Sequence, residues 1–207
     1  MYRPALGFLL LFCALGSCPA FPGNLPSSKT PDPGQRLHVA GIPNVGKIDE
    51  HLYRGAQPRD GSLTHLRELG ITTIVDLRGE NSSLRERERR EAEALGIRFI
   101  SIPVGGFSQP ARDQISSFLS LFVGQFPETV FVHCRLGEDR TGVFIAAYRI
   151  IVDNWTVDEA IKEMHFFGFN RLWHPSMVSY IRNFPALIDS DPTLSALSSS
   201  LRLAASH

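Results

Sequence analysis

The chain has 207 residues, 43% of them hydrophobic and 20% charged, which suits one domain with a sizeable core and excludes wholesale disorder. Lysine plus arginine and aspartate plus glutamate both number 21, a formal net charge of zero. Nucleic acid is therefore not an expected partner, because backbone-phosphate binding wants a basic excess.

Residues 1–20 read as an export leader rather than as part of the fold. Arg3 is their only charge, and the apolar run Gly7–Leu15 is too short to cross a bilayer. The segment Leu15-Gly16-Ser17-Cys18 resembles the lipobox of bacterial lipoproteins, which makes Cys18 a lipidation candidate and a lipid-anchored membrane tether an expected contact. The alternative is plain cleavage after Ala20 and soluble secretion. The expected location is accordingly exported, either periplasmic or membrane-anchored as a lipoprotein. Residues 21–44, rich in proline, glycine and serine, read as a flexible tether, residues 45–190 as the domain, and residues 191–207 as a loosely ordered tail. Cys13 and Cys18 fall in the leader, so Cys134 is the one cysteine of the mature chain and has no disulfide partner.

Along the domain, residues 46–53 predict a strand or hairpin, broken by the turn Gly55-Ala56-Gln57-Pro58. Ser62 is placed to cap a short helix ending at Leu69, before Gly70. The β-branched run Ile71–Leu77 predicts a buried strand. Residues 84–95 predict a helix with Glu86/Arg90, Arg87/Glu91 and Arg89/Glu93 at i,i+4 spacing, a charge run read as a solvated face. Further strands are expected at 97–104 and 129–133, and helices at 111–125, 140–152, 157–167 and 175–187. Strands alternating with helices predict an α/β fold with a central, mainly parallel sheet flanked by helices.

The chemistry lies in Val130-Phe131-Val132-His133-Cys134-Arg135-Leu136-Gly137-Glu138-Asp139-Arg140-Thr141-Gly142. A cysteine ends a buried strand, and the chain then loops through five residues to an arginine in the first turn of a helix. Such a loop aims several backbone N–H groups inward at the positive end of the helix dipole, a nest for a phosphate dianion that also stabilises a thiolate. Arg140 can hold two phosphate oxygens in fork geometry. Thr141 can donate its hydroxyl to the sulfur.

The run HCRLGEDRTG resembles the HCxxGxxRTG signature of the protein tyrosine and dual-specificity phosphatases. Residues 52–58 (LYRGAQP) and 73–78 (TIVDLR) resemble the opening of their compact atypical members, and Ala147-Tyr148-Arg149 with residues 160–169 (AIKEMHFFGF) resembles exported bacterial ones. The resemblance implies a dual-specificity-phosphatase-like fold with its phosphate-binding loop between a buried strand and a helix N-terminus. It implies neither metal nor other cofactor. Cys134 would attack phosphorus, water would hydrolyse the phosphocysteine, and Arg135, Leu136, Gly137 and Glu138 would lend backbone amides. The expected substrate is a phosphorylated protein, phosphotyrosine-bearing or mixed, or a small phosphomonoester, with inositol phosphates as an alternative.

One departure stands out. The family's general-acid aspartate lies on a separate loop upstream, yet nothing from Ala94 to Arg112 is acidic. Asp139, inside the loop, is the preferred acid, and Asp113 is the other candidate. Arg54 and Arg78 are candidates to add charge at the rim. His133 reads as a residue that tunes the loop, and the remaining histidines and aromatic residues read as structural. Two rivals remain on this reading: a binding module that captures phosphate without efficient turnover for want of an acid, and, less compatible with Arg140-Thr141-Gly142, a sulfurtransferase.

Overall fold

The structure, a computed structural model, describes residues 32–124 and 128–204. The leader with Cys18, the tether up to residue 31 and the last three residues lie outside the described residues. Six strands run β1 Gln35–Val39, β2 Ile42–Lys47, β3 Leu52–Gly55, β4 Thr73–Arg78, β5 Arg98–Val104 and β6 Val130–His133. The helices are α1 Leu63–Glu68, α2 Ser82–Ala94, α3 Arg112–Leu119, α4 Asp139–Ile151, α5 Val157–Phe166, α6 Pro175–Ser190 and α7 Pro192–Ala204.

The strands form one sheet in the order β1-β2-β3-β6-β4-β5. β3, β6, β4 and β5 are mutually parallel, while β1 and β2 form an antiparallel margin. The expected mainly parallel α/β sheet is thus met. Its central strands are buried along their whole length and mostly apolar because both faces are covered, with Arg54, Asp76, Arg78 and His133 as the charged or titratable exceptions. Ile74, Phe99 and Phe131 turn toward α1 and α2, where Leu66 and Ala92 meet them. Val75, Leu77, Val130 and Val132 turn toward the larger helical layer. α4 is buried on every side from Arg140 to Ile151, so its sequence is apolar all round rather than striped.

Three expectations change. Among the described residues the sheet already starts at Gln35, ahead of the expected residue 45, because QRLHV pairs with β2 in the register Arg36↔Gly46. Its outward positions are polar, as befits an edge strand, and the sequence therefore resembles linker. Most of the expected loose tail is α7, seated by Leu194, Ser198 and Leu201 at helical spacing on α3, α4 and α6. The Asp191 carboxylate accepts the N–H groups of Thr193 and Leu194 at 2.9 and 3.2 Å and caps it. Serine-rich composition hid that stripe. Third, Ser62 does not cap α1 with its side chain; its hydroxyl donates to the Arg59 carbonyl at 2.6 Å.

Candidate active site

β6 ends at the C-terminal edge of the parallel strands, and residues 134–138 carry the chain into α4. β3 stops beside it, with Gly55 in register with His133. The loop is pressed so closely on β3 that a Cβ at Gly137 would stand 2.6 Å from the Ala56 nitrogen, and Gly137 also has a φ of +71°. Only glycine meets both demands.

The loop's carbonyls are drawn outward. Gln57 N–H reaches Arg135 O at 3.3 Å, and Asn44 Nδ2 reaches Leu136 O at 3.3 Å and Gly137 O at 3.2 Å. Arg54 Nη2 donates to Gly137 O at 2.6 Å. Because C=O and N–H of a trans peptide point opposite ways, these contacts leave the neighbouring amides facing the centre of the loop.

Cys134 is buried at that centre. Burial by itself pushes its thiol up, but the Thr141 hydroxyl and amide, the Arg140 charge and the Gly137 N–H outweigh it, and the thiol lies below its ordinary value. The Thr141 hydroxyl is buried with no other hydrogen-bond partner among the described residues, so it is available to the sulfur. Arg140 is held end-on by Glu80, Nη1 to Oε2 at 2.8 Å and Nη2 to Oε1 at 2.9 Å, and Nη1 also reaches Val104 O at 3.2 Å. Its guanidinium is oriented before any phosphate arrives. The paired arginine holds the Glu80 carboxyl below the usual range despite some desolvation.

Beneath Cys134 lies a buried charge network. Arg78 donates to Asp76 through Nε at 2.8 Å and Nη2 at 3.0 Å, and to Glu88 at 2.6 Å. His133 Nε2 lies 2.9 Å from Glu88 Oε1. Burial opposes charging of this imidazole, but Glu88 and Asp76 prevail and its pKa is raised. The charge run of α2 is thus not all solvated face: Glu88 is buried, and Arg85 turns in to Asp76 at 3.2 Å.

The structure brings Cys134, Gly137, Arg140 and Thr141 together. Arg135 and Leu136 are exposed at the rim, and Glu138 lies half-buried against Gly168. Asp139 is held beside the loop, its Oδ2 3.2 Å from His174 Nε2 and its Oδ1 3.4 Å from the Asn170 N–H. Asp113 is exposed in the first turn of α3. The loop where an acid was missing carries Phe107, stacked on His174 at 5.2 Å.

Neither Arg54 nor Arg78 is a rim residue, contrary to expectation. Both are buried residues near the C-terminal ends of central strands, so their charge acts from below the loop. Glu80, Glu88 and Asn44 were not singled out from sequence, and His174, read there as structural, sits on Asp139. A signal for the network did exist, since Asp76 and Arg78 are charges inside an otherwise apolar strand, and such charges need each other.

Comparison with known proteins agrees with this geometry. The family described as DSP-PTPase phosphatase fused to NAD+ kinase matches residues 44–174. The dual specificity protein phosphatase TpbA of Pseudomonas aeruginosa strain UCBPP-PA14 is 28% identical over 173 residues, covering 82% of this chain and 77% of that protein. A crystal structure of P. aeruginosa TpbA superposes with a TM-score of 0.59 at 26% identity, over 86% of this chain and 98% of that one. The catalytic domain of the Saccharomyces cerevisiae PP-IP phosphatase Siw14 shares the fold, with a TM-score of 0.60 at 19% identity over 76% and 98% of the two chains. Since the matched segment spans more than half of the sequence and encloses the whole Cys134 loop, this chain belongs to the DSP-PTPase family and is a cysteine-dependent phosphatase of the dual-specificity type.

Proposed function

We propose that the chain hydrolyses phosphotyrosine and related phosphoprotein monoesters, with Cys134 as nucleophile, Arg140 as phosphate clamp and Asp139 as general acid. The observation that carries this reading is the lowered thiol of Cys134 inside a loop that also holds Thr141 and a pre-oriented Arg140. In the first step the Cys134 thiolate attacks phosphorus and the P–O ester bond breaks. Its electron pair leaves on the alcohol or phenol oxygen, which takes the proton of Asp139. In the second step water attacks phosphorus and gives its proton back to Asp139. The S–P bond breaks, and the Thr141 hydroxyl stabilises the departing thiolate. The amides of Arg135, Leu136, Gly137 and Glu138 with the N-terminus of α4 hold the phosphoryl oxygens throughout.

Phosphotyrosine is favoured over inositol phosphates on charge. Arg135 and Arg140 are balanced in the loop by Glu138 and Asp139, whereas a polyphosphate needs clustered cations. A TpbA variant has been crystallised in complex with phosphotyrosine, and Siw14 is named as a PP-IP phosphatase. The apolar leader with Leu15-Gly16-Ser17-Cys18 supports export, with Cys18 as the lipidation site.

The test is turnover of p-nitrophenyl phosphate by the full chain in reductant, beside Cys134→Ser and Asp139→Asn. Cys134→Ser is expected to abolish turnover. Asp139→Asn should slow an alkyl phosphate by about 10²–10⁴ and p-nitrophenyl phosphate, whose leaving group needs no proton, far less. Equal activity of Asp139→Asn and parent on the alkyl ester would remove Asp139 from the mechanism.

A further inference from the structure

The rim of the site is more apolar than a soluble surface requires. Leu172 and Trp173, adjacent between α5 and α6, are 86% and 69% exposed, Phe107 is 73% exposed, Leu136 in the loop itself 55%, and Phe166 at the end of α5 43%. These residues share one pole of the molecule. Phe107 stacks on His174, which bonds Asp139 at the base of α4. The Leu172 N–H is tied to Asn170 Oδ1 at 3.0 Å, and the Asn170 N–H to Asp139. On the other side, Asn44 bridges the Leu136 and Phe167 carbonyls, and Arg36 lies over the Phe166 ring at 4.8 Å. The collar therefore surrounds the mouth of the phosphate loop. Exposed apolar side chains gathered at one pole in this way mark a docking face.

Its shape and charge decide the partner. A peptide is gripped by concave apolar pockets around an anchor residue. Side chains exposed to 86% and 69% stand out from the surface and cannot wall such a pocket. Protruding tryptophan, leucine and phenylalanine suit the boundary between lipid headgroups and acyl chains. The exposed charges interleaved with them are Arg36, Arg135 and Arg171, whereas the acids nearby are partly buried or engaged: Glu80 is paired with Arg140, Asp139 with His174, and Glu138 lies against Gly168. Basic residues next to an apolar tip complement an anionic leaflet.

We infer that this collar docks on an anionic phospholipid surface, so that the phosphate loop faces the membrane and works on monoesters presented there. The inference rests on the exposed side chains and not on the catalytic assignments. No described helix is long and apolar enough to cross a bilayer, and the contact is peripheral.

The experiment is sedimentation of the full chain with phosphatidylglycerol vesicles and with phosphatidylcholine vesicles, together with Trp173 emission and p-nitrophenyl phosphate turnover on the same samples. Trp173→Phe identifies the emission, because Trp155 packs on Arg149 at 4.2 Å instead. The expected result is binding to phosphatidylglycerol that weakens in high salt, a blue shift of Trp173, and binding about tenfold weaker in Leu172→Ser/Trp173→Ser with turnover unchanged. The inference is overturned if the parent chain ignores phosphatidylglycerol. It is equally overturned if the double variant sediments like the parent, which would leave the contact to the N-terminal apolar run. A third overturning result is no vesicle binding but a fall in kcat/KM on a soluble phosphotyrosine peptide in the double variant, which would make the collar a peptide surface. A parent chain that binds phosphatidylglycerol through the collar but does not turn over p-nitrophenyl phosphate would support the docking and count against the catalytic reading.

Discussion

Two arginines lie completely buried under the Cys134 loop, Arg54 on the β3 side and Arg78 on the β4 side, and the protein treats them differently. Arg78 has Asp76 and Glu88 as ion-pair partners, and these raise its pKa against the effect of burial. Arg54 has a carbonyl, that of Gly137, and the face of Phe167 at 4.1 Å, while its Nε and Nη1 have no hydrogen-bond partner among the described residues. Burial drives its pKa down to about 10, with the charges of Glu163 and Cys134 opposing the fall. The β4 cation is neutralised where it stands and serves the fold. The β3 cation keeps its field for the loop, at a cost in desolvation.

Removing each arginine in turn should break that symmetry. Arg78→Met leaves Asp76 and Glu88 buried without their main partner, and urea unfolding should show a loss of about 3–5 kcal/mol. A loss under about 1 kcal/mol would mean that Arg85 and His133 carry the network unaided. Arg54→Met, which strands no carboxylate hydrogen-bonded to it, should cost less than half as much in the same assay. Its effect belongs in the chemistry: the pH profile of Cys134 alkylation by iodoacetamide should move to higher pH, because one cation facing the thiolate is gone. A profile that stays in place would assign the lowered thiol to Thr141, Arg140 and the loop amides alone.

The smallest effect is a pH dependence from the β4 side. His133 has a raised pKa in the folded state, so its ion pairs contribute fully below the unfolded value of about 6.5 and are lost as pH rises through the folded value. The unfolding free energy of the parent should therefore decline from about pH 6.5 upward, and His133→Gln should flatten that decline. An identical slope in the two proteins would place the proton elsewhere.

Much of this molecule is legible along the chain because the interactions responsible are local. The parallel strands show as β-branched runs, the loop as a cysteine and an arginine with five residues between them, one a glycine, and α4 as a largely apolar stretch. What escaped was polar in composition. β1 partly buries only Leu37 and Val39, α7 buries only Leu194, Ser198 and Leu201, and the arginines, histidine and serines between them mask the pattern. The helix α2 misled in the opposite sense, since its i,i+4 charges hid the inward-facing Glu88.

The sequence by itself determined the nucleophile and clamp and the strand and helix that flank them, since each depends on spacing within one short segment, whereas the need for glycine at residue 137 comes from β3 pressing on the loop. Only the tertiary structure decided which distant charges meet that segment. Glu80 reaches Arg140 from 60 residues away, Arg54 reaches Gly137 from 83, and His174 reaches Asp139 from the start of α6. The strength of those contacts depends on burial, and burial is a property of packing that no single stretch of chain contains.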